Sequence, residues 1–181
     1  MRILVDLDGV VVDWTSQFEG DLVAYYPHLR FEMMREFSTP THLSQEHQDA
    51  INWVKYRPGF YREMGVISGA YLAINEMKNE GHDVWFCSSP EINNPTCASD
   101  KVAWLHQHFG EWWANRLILT RDKTLVRGHI LIDDRPDVNG VVEPEWTHVL
   151  FDQPYNDHVN DKIRLNDWDD WRYVVNQAVA V

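Results

Sequence analysis

Short apolar runs, each bounded by polar or turn residues, recur at positions 3–5, 84–87, 117–119, 130–132 and 148–151. They are rich in Val, Ile and Leu and too short for helices, so the pattern predicts strands. Runs that are apolar throughout suit strands covered on both faces, as in a parallel sheet. Helical spacing fills several of the gaps. After Ser68, the positions Leu72, Ile74 and Met77 lead to a stop at Gly81. Ser99 is expected to cap a helix carrying Val102, Leu105 and Phe109, with Gly110 behind it. Near the end, Asn166 is expected to cap a helix starting at Asp167. Asp169 and Asp170 suit its first turn, and Trp168, Trp171 and Val175 form one stripe. Strands alternating with helices predict an α/β domain with a mainly parallel sheet.

The segment 15–64 breaks this rhythm. Phe18, Leu22, Tyr25 and Tyr26 have helical spacing, and Pro27 ends that element. A second helix is expected after Ser44, carrying Ala50, Ile51 and Val54, and no strand is expected in the segment. The expected organisation is therefore a core of residues 1–14 and 65–181, with a helical lobe, 15–64, inserted after the first strand.

Composition narrows the function. With 181 residues, 44% apolar and 24% charged, the chain has the balance of a globular protein and enough length for one sizeable core. No apolar run approaches the roughly 18 residues of a membrane span. Asp6 interrupts the first run almost at once, so no targeting segment is expected there. The net charge of -12 argues against an extended surface for polymeric nucleic acid. A small phosphorylated substrate stays open, because one local Lys and a cation outweigh the global field. Of the two cysteines, Cys87 lies in an apolar run and Cys97 in what reads as a polar loop. That is no disulfide scaffold, and a reducing cytoplasm is the simpler setting. The nine tryptophans are expected partly in the core and partly around a flat ligand.

Four polar points directly follow expected strands: Asp6 and Asp8, then Ser88 and Ser89, then Lys123, then Asp133 and Asp134. Ligands of open α/β sheets bind at the carboxyl ends of the strands, so these points can meet in one site. Asp6, Asp8 and one of Asp133 or Asp134 offer hard oxygen ligands that suit Mg²⁺. Ser88 offers a neutral donor to phosphate and Lys123 a point charge. A carboxylate can itself attack phosphorus and form an aspartyl-phosphate. Gly9 lets the chain turn sharply after Asp8. His106 and His108 stand two apart on an expected helix and face different directions, which speaks against zinc. Cys87 reads as core rather than as a nucleophile.

These four points resemble the four motifs of haloacid dehalogenase (HAD) superfamily phosphohydrolases. DLDGVVVDW, PGFYREM, VWFCSSP, SDKVAWL, LILTRDKT, LIDDRPD and RLNDWDDW more closely resemble the 5′(3′)-deoxyribonucleotidases, from Ile3 to about Trp171. The resemblance implies a HAD-like Rossmannoid sheet with a helical cap, and Mg²⁺ as cofactor. It implies Asp6 as nucleophile and Asp8 as general acid and base, with the Asp8 carbonyl on the metal. Asp134 would bind Mg²⁺ directly and Asp133 would hold metal-bound water. Ser88 and Ser89 would hold phosphate, and Lys123 would stabilise its charge. Trp14, Phe60 and Tyr61 would enclose base and sugar, with Trp53 as a further candidate. Ser88 stands where the family commonly has Thr. Glu91, Ile92 and Asn93 follow Pro90 where some members carry a Lys.

The implied activity is removal of phosphate from deoxyribonucleoside monophosphates. The implied preference is for pyrimidines such as dUMP and dTMP, as 5′ esters, with 3′ esters left open. The partner would be a small-molecule nucleotide, with no nucleic-acid polymer and no membrane; a homodimer stays open. Two other readings compete. One is a HAD phosphatase for another small ester such as a sugar phosphate. The other is a non-catalytic, receiver-like regulatory domain. Receiver-like domains place the phosphorylated Asp after a middle strand, where this chain has Leu119-Thr120-Arg121.

Overall fold

Ile3, Leu4 and Val5 are fully buried, because the strand they form runs down the middle of the sheet. The computed structural model describes residues 1–31 and 43–179. In chain order the elements are β1 (Arg2–Val5), β2 (Val12–Asp13), α1 (Trp14–Tyr25), α2 (Gln45–Tyr56) and β3 (Gly65–Val66). Then come α3 (Ala70–Asn79), β4 (Asp83–Ser88), α4 (Cys97–His108), α5 (Glu111–Ala114) and β5 (Leu117–Leu119). The chain ends with β6 (Ile130–Asp133), β7 (Thr147–Phe151), β8 (Ile163–Leu165) and α6 (Trp171–Val179).

Six strands form one parallel sheet in the order β5-β4-β1-β6-β7-β8. This is the expected α/β architecture, and all five expected strands are in it. Val5 pairs with Phe86 on one side and Ile132 on the other, so the three central strands end level. Alternation along the strands separates two cores. Ile3, Val5, Phe86, Ile130 and Ile132 join the helices' Met77, Leu105 and Trp171 in the larger one. Leu4, Cys87 and Leu131 face a smaller cluster closed by Trp146. The sixth strand, β8, was not expected. It is an edge strand of three residues with Arg164 in its middle, and only Leu165 is buried, so it lacks the continuous apolar run of a central strand.

Three helix details differ from expectation. α4 begins at Cys97 behind Thr96, not behind Ser99; Ser99 lies in the first turn, and its hydroxyl donates back to the Thr96 carbonyl at 2.8 Å. Cys97 is thus buried on the inner face of the helix and not in a polar loop, while Val102 points outward. Asp167, not Asn166, caps the last helical segment, accepting from the Asp169 amide at 2.8 Å. Trp168, Trp171 and Val175 are all buried, as their stripe requires. On α3 the buried set is Ala70, Ala73, Ile74 and Met77, and Leu72 is exposed; Gly81 behind it takes φ +87°.

Between β1 and α3, β2 and β3 pair antiparallel, Val12 opposite Val66 and Asp13 opposite Gly65. This small ladder brings the two connections of the intervening segment side by side. Within it, α1 starts on a side-chain cap from Asp13 and α2 on one from Ser44. Residues 32–42 of the expected lobe lie outside the described residues. Buried Asn94, in the loop after β4, donates to the carbonyls of Lys55 and Arg57 at 2.9 and 2.8 Å and so ties the end of α2 to that loop. Among the described residues, no helix is long and apolar enough to cross a membrane.

Candidate active site

The level ends of the central strands put the polar points of the sequence around one cavity. Asp6 and Asp8 follow β1, Ser88 is the last residue of β4, and Asp133 is the last of β6. Lys123 opens a single 3₁₀ turn after β5, whose start Asp122 caps. After Asp8 the chain folds back tightly: the amides of Val10, Val11 and Val12 all donate to the Leu7 carbonyl. Gly9 makes that turn with φ +76°. The cavity has a volume of about 320 Å³, and Asp6, Asp8, Ser88, Ser89, Lys123 and Asp134 line it. Trp14 and Tyr61 form part of its wall.

Two buried lysines organise the floor. Lys123 Nζ donates to Asp133 Oδ2 at 2.5 Å and lies 2.9 Å from Asp6 Oδ1, off the line of a hydrogen bond. Lys101 Nζ donates to Asp8 Oδ2 at 2.7 Å, to Ser88 Oγ at 2.8 Å and to the Ser89 carbonyl at 2.9 Å. Burial works to raise the Asp6 carboxyl, but the charges of Lys123 and Lys101 outweigh it and hold the group below the usual carboxylate range. Burial raises Asp8; Lys101 pulls against this, Asp6 adds to it, and the carboxyl stays above the usual range. Burial also pushes Asp134 well up, reinforced by repulsion from Asp133 and Asp6. Burial would lower Lys123, but Asp133 and Asp6 reverse this and raise it. Neighbouring carboxylates two residues apart are therefore driven in opposite directions, the arrangement that separates an ionised group from a proton carrier.

The acidic cluster fits a hard cation. Asp6, Asp133 and Asp134 bring carboxylate oxygens within 4.8 Å of one another. All three are buried, the donors are oxygen only, and Asp6 Oδ1 accepts no hydrogen bond. Asp133 is the most committed of the three: Lys123 holds Oδ2, and the Arg135 amide donates to Oδ1 at 2.9 Å. The Tyr155 hydroxyl donates to Asp134 Oδ2.

The expected substrate residues divide. Ser89 lines the cavity, and its Oγ is buried without a hydrogen-bond partner. Trp14 stacks on Phe18 with ring centroids 4.5 Å apart, and Tyr61 closes the same side. Phe60 is fully buried behind them, edge-on to Trp14 at 6.0 Å, and does not line the cavity; the turn through Gly59 points it into the core. Trp53 packs on Tyr25 and Tyr26 at the surface, away from the cavity, and α2 contributes Lys55 instead. Cys87 is a core residue, its thiol pushed up to about 12 by burial.

Lys101 and Tyr155 were missed in the sequence. Lys101 brings a second buried ammonium group to the cavity floor, beside Asp8 and Ser88. Its signal was legible: Cys97, Lys101, Trp104 and Leu105 share one helical face, all buried, and a lysine in such a stripe needs a partner inside. Arg121, Arg135 and Lys55 also border the cavity, so a chain of net charge -12 concentrates cations at this one place.

Comparison with known proteins gives the family. The family described as 5′ nucleotidase, deoxy (pyrimidine), cytosolic type C protein matches residues 1–180. The chain belongs to this family. It is a phosphatase of the 5′(3′)-deoxyribonucleotidase type, which sets the regulatory-domain reading aside. A Bordetella pertussis relative bearing a 5′(3′)-deoxyribonucleotidase name is 38% identical over 97% of this chain and 95% of its own. The human cytosolic-type 5′(3′)-deoxyribonucleotidase is 35% identical over 97% of this chain and 94% of its own. In fold, the chain is similar to a HAD family hydrolase from Deinococcus radiodurans R1, solved with bound phosphate and sodium. That likeness has a TM-score of 0.63 and 16% identity, covering 98% of this chain and 95% of the other.

Proposed function

We propose that this phosphatase hydrolyses deoxyribonucleoside monophosphates with Mg²⁺, through a phosphoryl group carried on Asp6. The observation that carries the reading is the junction of two surfaces in one cavity: the Asp6, Asp8, Ser88 and Lys123 floor, and the Trp14 and Tyr61 wall. Its volume of about 320 Å³ suits a small ligand.

Asp6 attacks phosphorus in line, forming the carboxylate–phosphorus bond as the bond to the nucleoside oxygen breaks. Asp8, whose proton is favoured by burial, gives that proton to the departing oxygen. Water then attacks the phospho-aspartate, Asp8 takes its proton, and inorganic phosphate leaves with Asp6 restored. Lys123, Lys101, Ser88 and Ser89 hold the phosphoryl oxygens through both steps. Asp6, the Asp8 carbonyl and Asp134 would hold the Mg²⁺, with Asp133 beside them; the ion, when bound, neutralises charge on the phosphoryl group. Residues 15–64 serve as the cap over the nucleoside, and a flat pyrimidine stacks against Trp14 and Tyr61. The substrate is a free nucleotide rather than a polymer. The buried reduced thiols of Cys87 and Cys97, and the cytosolic human relative, support a cytoplasmic setting.

The test is a substrate panel of 5′ and 3′ nucleotides with Mg²⁺. We expect dUMP and dTMP to exceed UMP by about ten- to a hundredfold in kcat/KM, because a 2′-hydroxyl pressed on apolar wall loses its water. Chelation by EDTA should abolish turnover and added Mg²⁺ restore it. Equal rates for UMP and dUMP, or a faster sugar phosphate, would overturn the substrate assignment.

A further inference from the structure

We propose that Tyr155 is a positioning residue for the metal-binding carboxylate of Asp134, and that the loop after β7 is a fifth functional point on the sheet edge. The inference rests on the Mg²⁺ reading above.

The loop after β7 opens on Asp152, whose carboxylate pairs with Arg164 and does not line the cavity, yet the loop grips two of the other strand ends. Gln153 Nε2 donates to the Gly9 carbonyl at 2.7 Å, in the turn that follows Asp8. Asn156 Nδ2 donates to the Asp134 carbonyl at 2.8 Å and to the Phe151 carbonyl at 2.8 Å. Between them the Tyr155 hydroxyl donates to the Asp134 side chain. One three-residue span of the loop, a 3₁₀ turn at Pro154–Asn156, thus fixes both the backbone and the carboxylate of Asp134. Arg164 on β8 fixes the turn in its own place, donating to Asn156 Oδ1 at 2.8 Å and to the Asn156 carbonyl at 2.9 Å.

The packing leaves no slack. A Cβ on Gly9 would lie 2.6 Å from the Tyr155 hydroxyl oxygen and would also run into the Asp134 carboxylate. A side chain at position 9 would therefore displace the donor, the acceptor or both.

The chemistry suits a metal ligand. A carboxylate has two oxygens; a donor on one sets the plane of the group and leaves the other for the cation. A lysine in this place would orient the group but compete with the cation for its charge. A phenol orients it without adding charge, and its ring brings apolar bulk to the cavity wall. Lys123 already performs the charged version of this task on Asp133, and its neighbour Asp134 receives the neutral version.

The experiment compares wild type with Tyr155→Phe, which keeps the ring and removes one hydroxyl. The Mg²⁺ dissociation constant of the substrate-free protein is measured by calorimetry, together with the Mg²⁺ dependence of dUMP hydrolysis and the thermal midpoint without Mg²⁺. The constant should rise about tenfold or more. Turnover should return to within about threefold of wild type at saturating Mg²⁺, since the ligand is still present. An unchanged constant, with or without a lower thermal midpoint, overturns the proposal by reducing Tyr155 to a packing role. If Tyr155→Phe does not fold, Gln153→Ala is measured instead; it loosens the same loop at Gly9 and should raise the constant about threefold. An unchanged value there is equally fatal. A wild-type protein that hydrolyses dUMP fully in excess chelator would instead remove the Mg²⁺ reading and this inference together.

Discussion

The floor and the wall of the cavity are built on opposite principles. On the floor, each charged group is held by others: Lys101 has three partners and Lys123 lies between two aspartates. On the wall, rings are held by rings, Trp14 on Phe18 and Tyr61 on Phe60. The floor is anchored in a parallel sheet whose strand ends are level, whereas the wall comes from the segment around α1 and the 3₁₀ turn after α2. A floor of interlocked charges tolerates little change, because removing one partner strands another in a buried site. A wall of stacked apolar surface grades its losses with area. Chemistry and selectivity are thereby separable by mutation, and the following tests press on that separation.

The largest effect is expected from Asp6→Asn. An amide is a poor nucleophile, so turnover should fall about a thousandfold or more for every substrate, with the fold intact by circular dichroism. Activity within tenfold of wild type would break the floor's role in the chemistry. Next comes Lys101→Met, which removes charge but keeps the buried stem. A drop in kcat/KM of about a hundredfold, equal for dUMP, UMP and p-nitrophenyl phosphate, is the signature of phosphate binding. A drop confined to nucleotides would move Lys101 from floor to wall.

The two neighbouring aspartates sharpen the contrast within the floor. Asp134→Ala should weaken Mg²⁺ binding more than Asp133→Ala. Asp133→Ala should cost more stability, about 3–5 kcal/mol, because it leaves Lys123 with one buried partner fewer. Calorimetry for the metal and urea unfolding for stability give the two orders, and the same order in both would contradict the division of labour. The smallest effect belongs to the wall. Trp14→Ala or Tyr61→Ala should narrow the dUMP to UMP ratio by about tenfold or less, and should harm nucleotides more than p-nitrophenyl phosphate. Parallel losses on all three substrates would show that the wall supports the floor rather than the base.

The floor was legible in the sequence because sheet geometry does the reading: a polar residue directly after an apolar run is at the carboxyl end of a strand. Asp6, Ser88 and Asp133 needed no more than that. Lys101 escaped because starting α4 at Ser99 cut Cys97 from the stripe and left the lysine looking like an ordinary helix charge. Tyr155 escaped because Pro154 marks its segment as a turn and a phenol is not a usual metal-site residue. The wall was less legible for a different reason. Phe60, Trp53 and Tyr61 have similar rings in similar helical or turn contexts, yet one lies in the core, one at the surface and one at the cavity. Periodicity assigns a face of a helix, not what lies against that face.

The position of β1 carries a consequence for how the molecule is made. It is the earliest strand of the sheet to be synthesised, yet it pairs with β4 on one side and β6 on the other. During translation it must wait for residue 83 before gaining its first neighbour and for residue 130 before gaining its second. Such long-range pairings are slow, and the unpaired strand is an exposed apolar edge meanwhile. Asp6, directly after β1, is likewise without Lys123 and Asp133 until the last third of the chain emerges. A ribosome-bound fragment ending before β6 would thus hold Asp6 in a half-built pocket, and the complete pocket and the second neighbour of β1 would arrive in the same folding event.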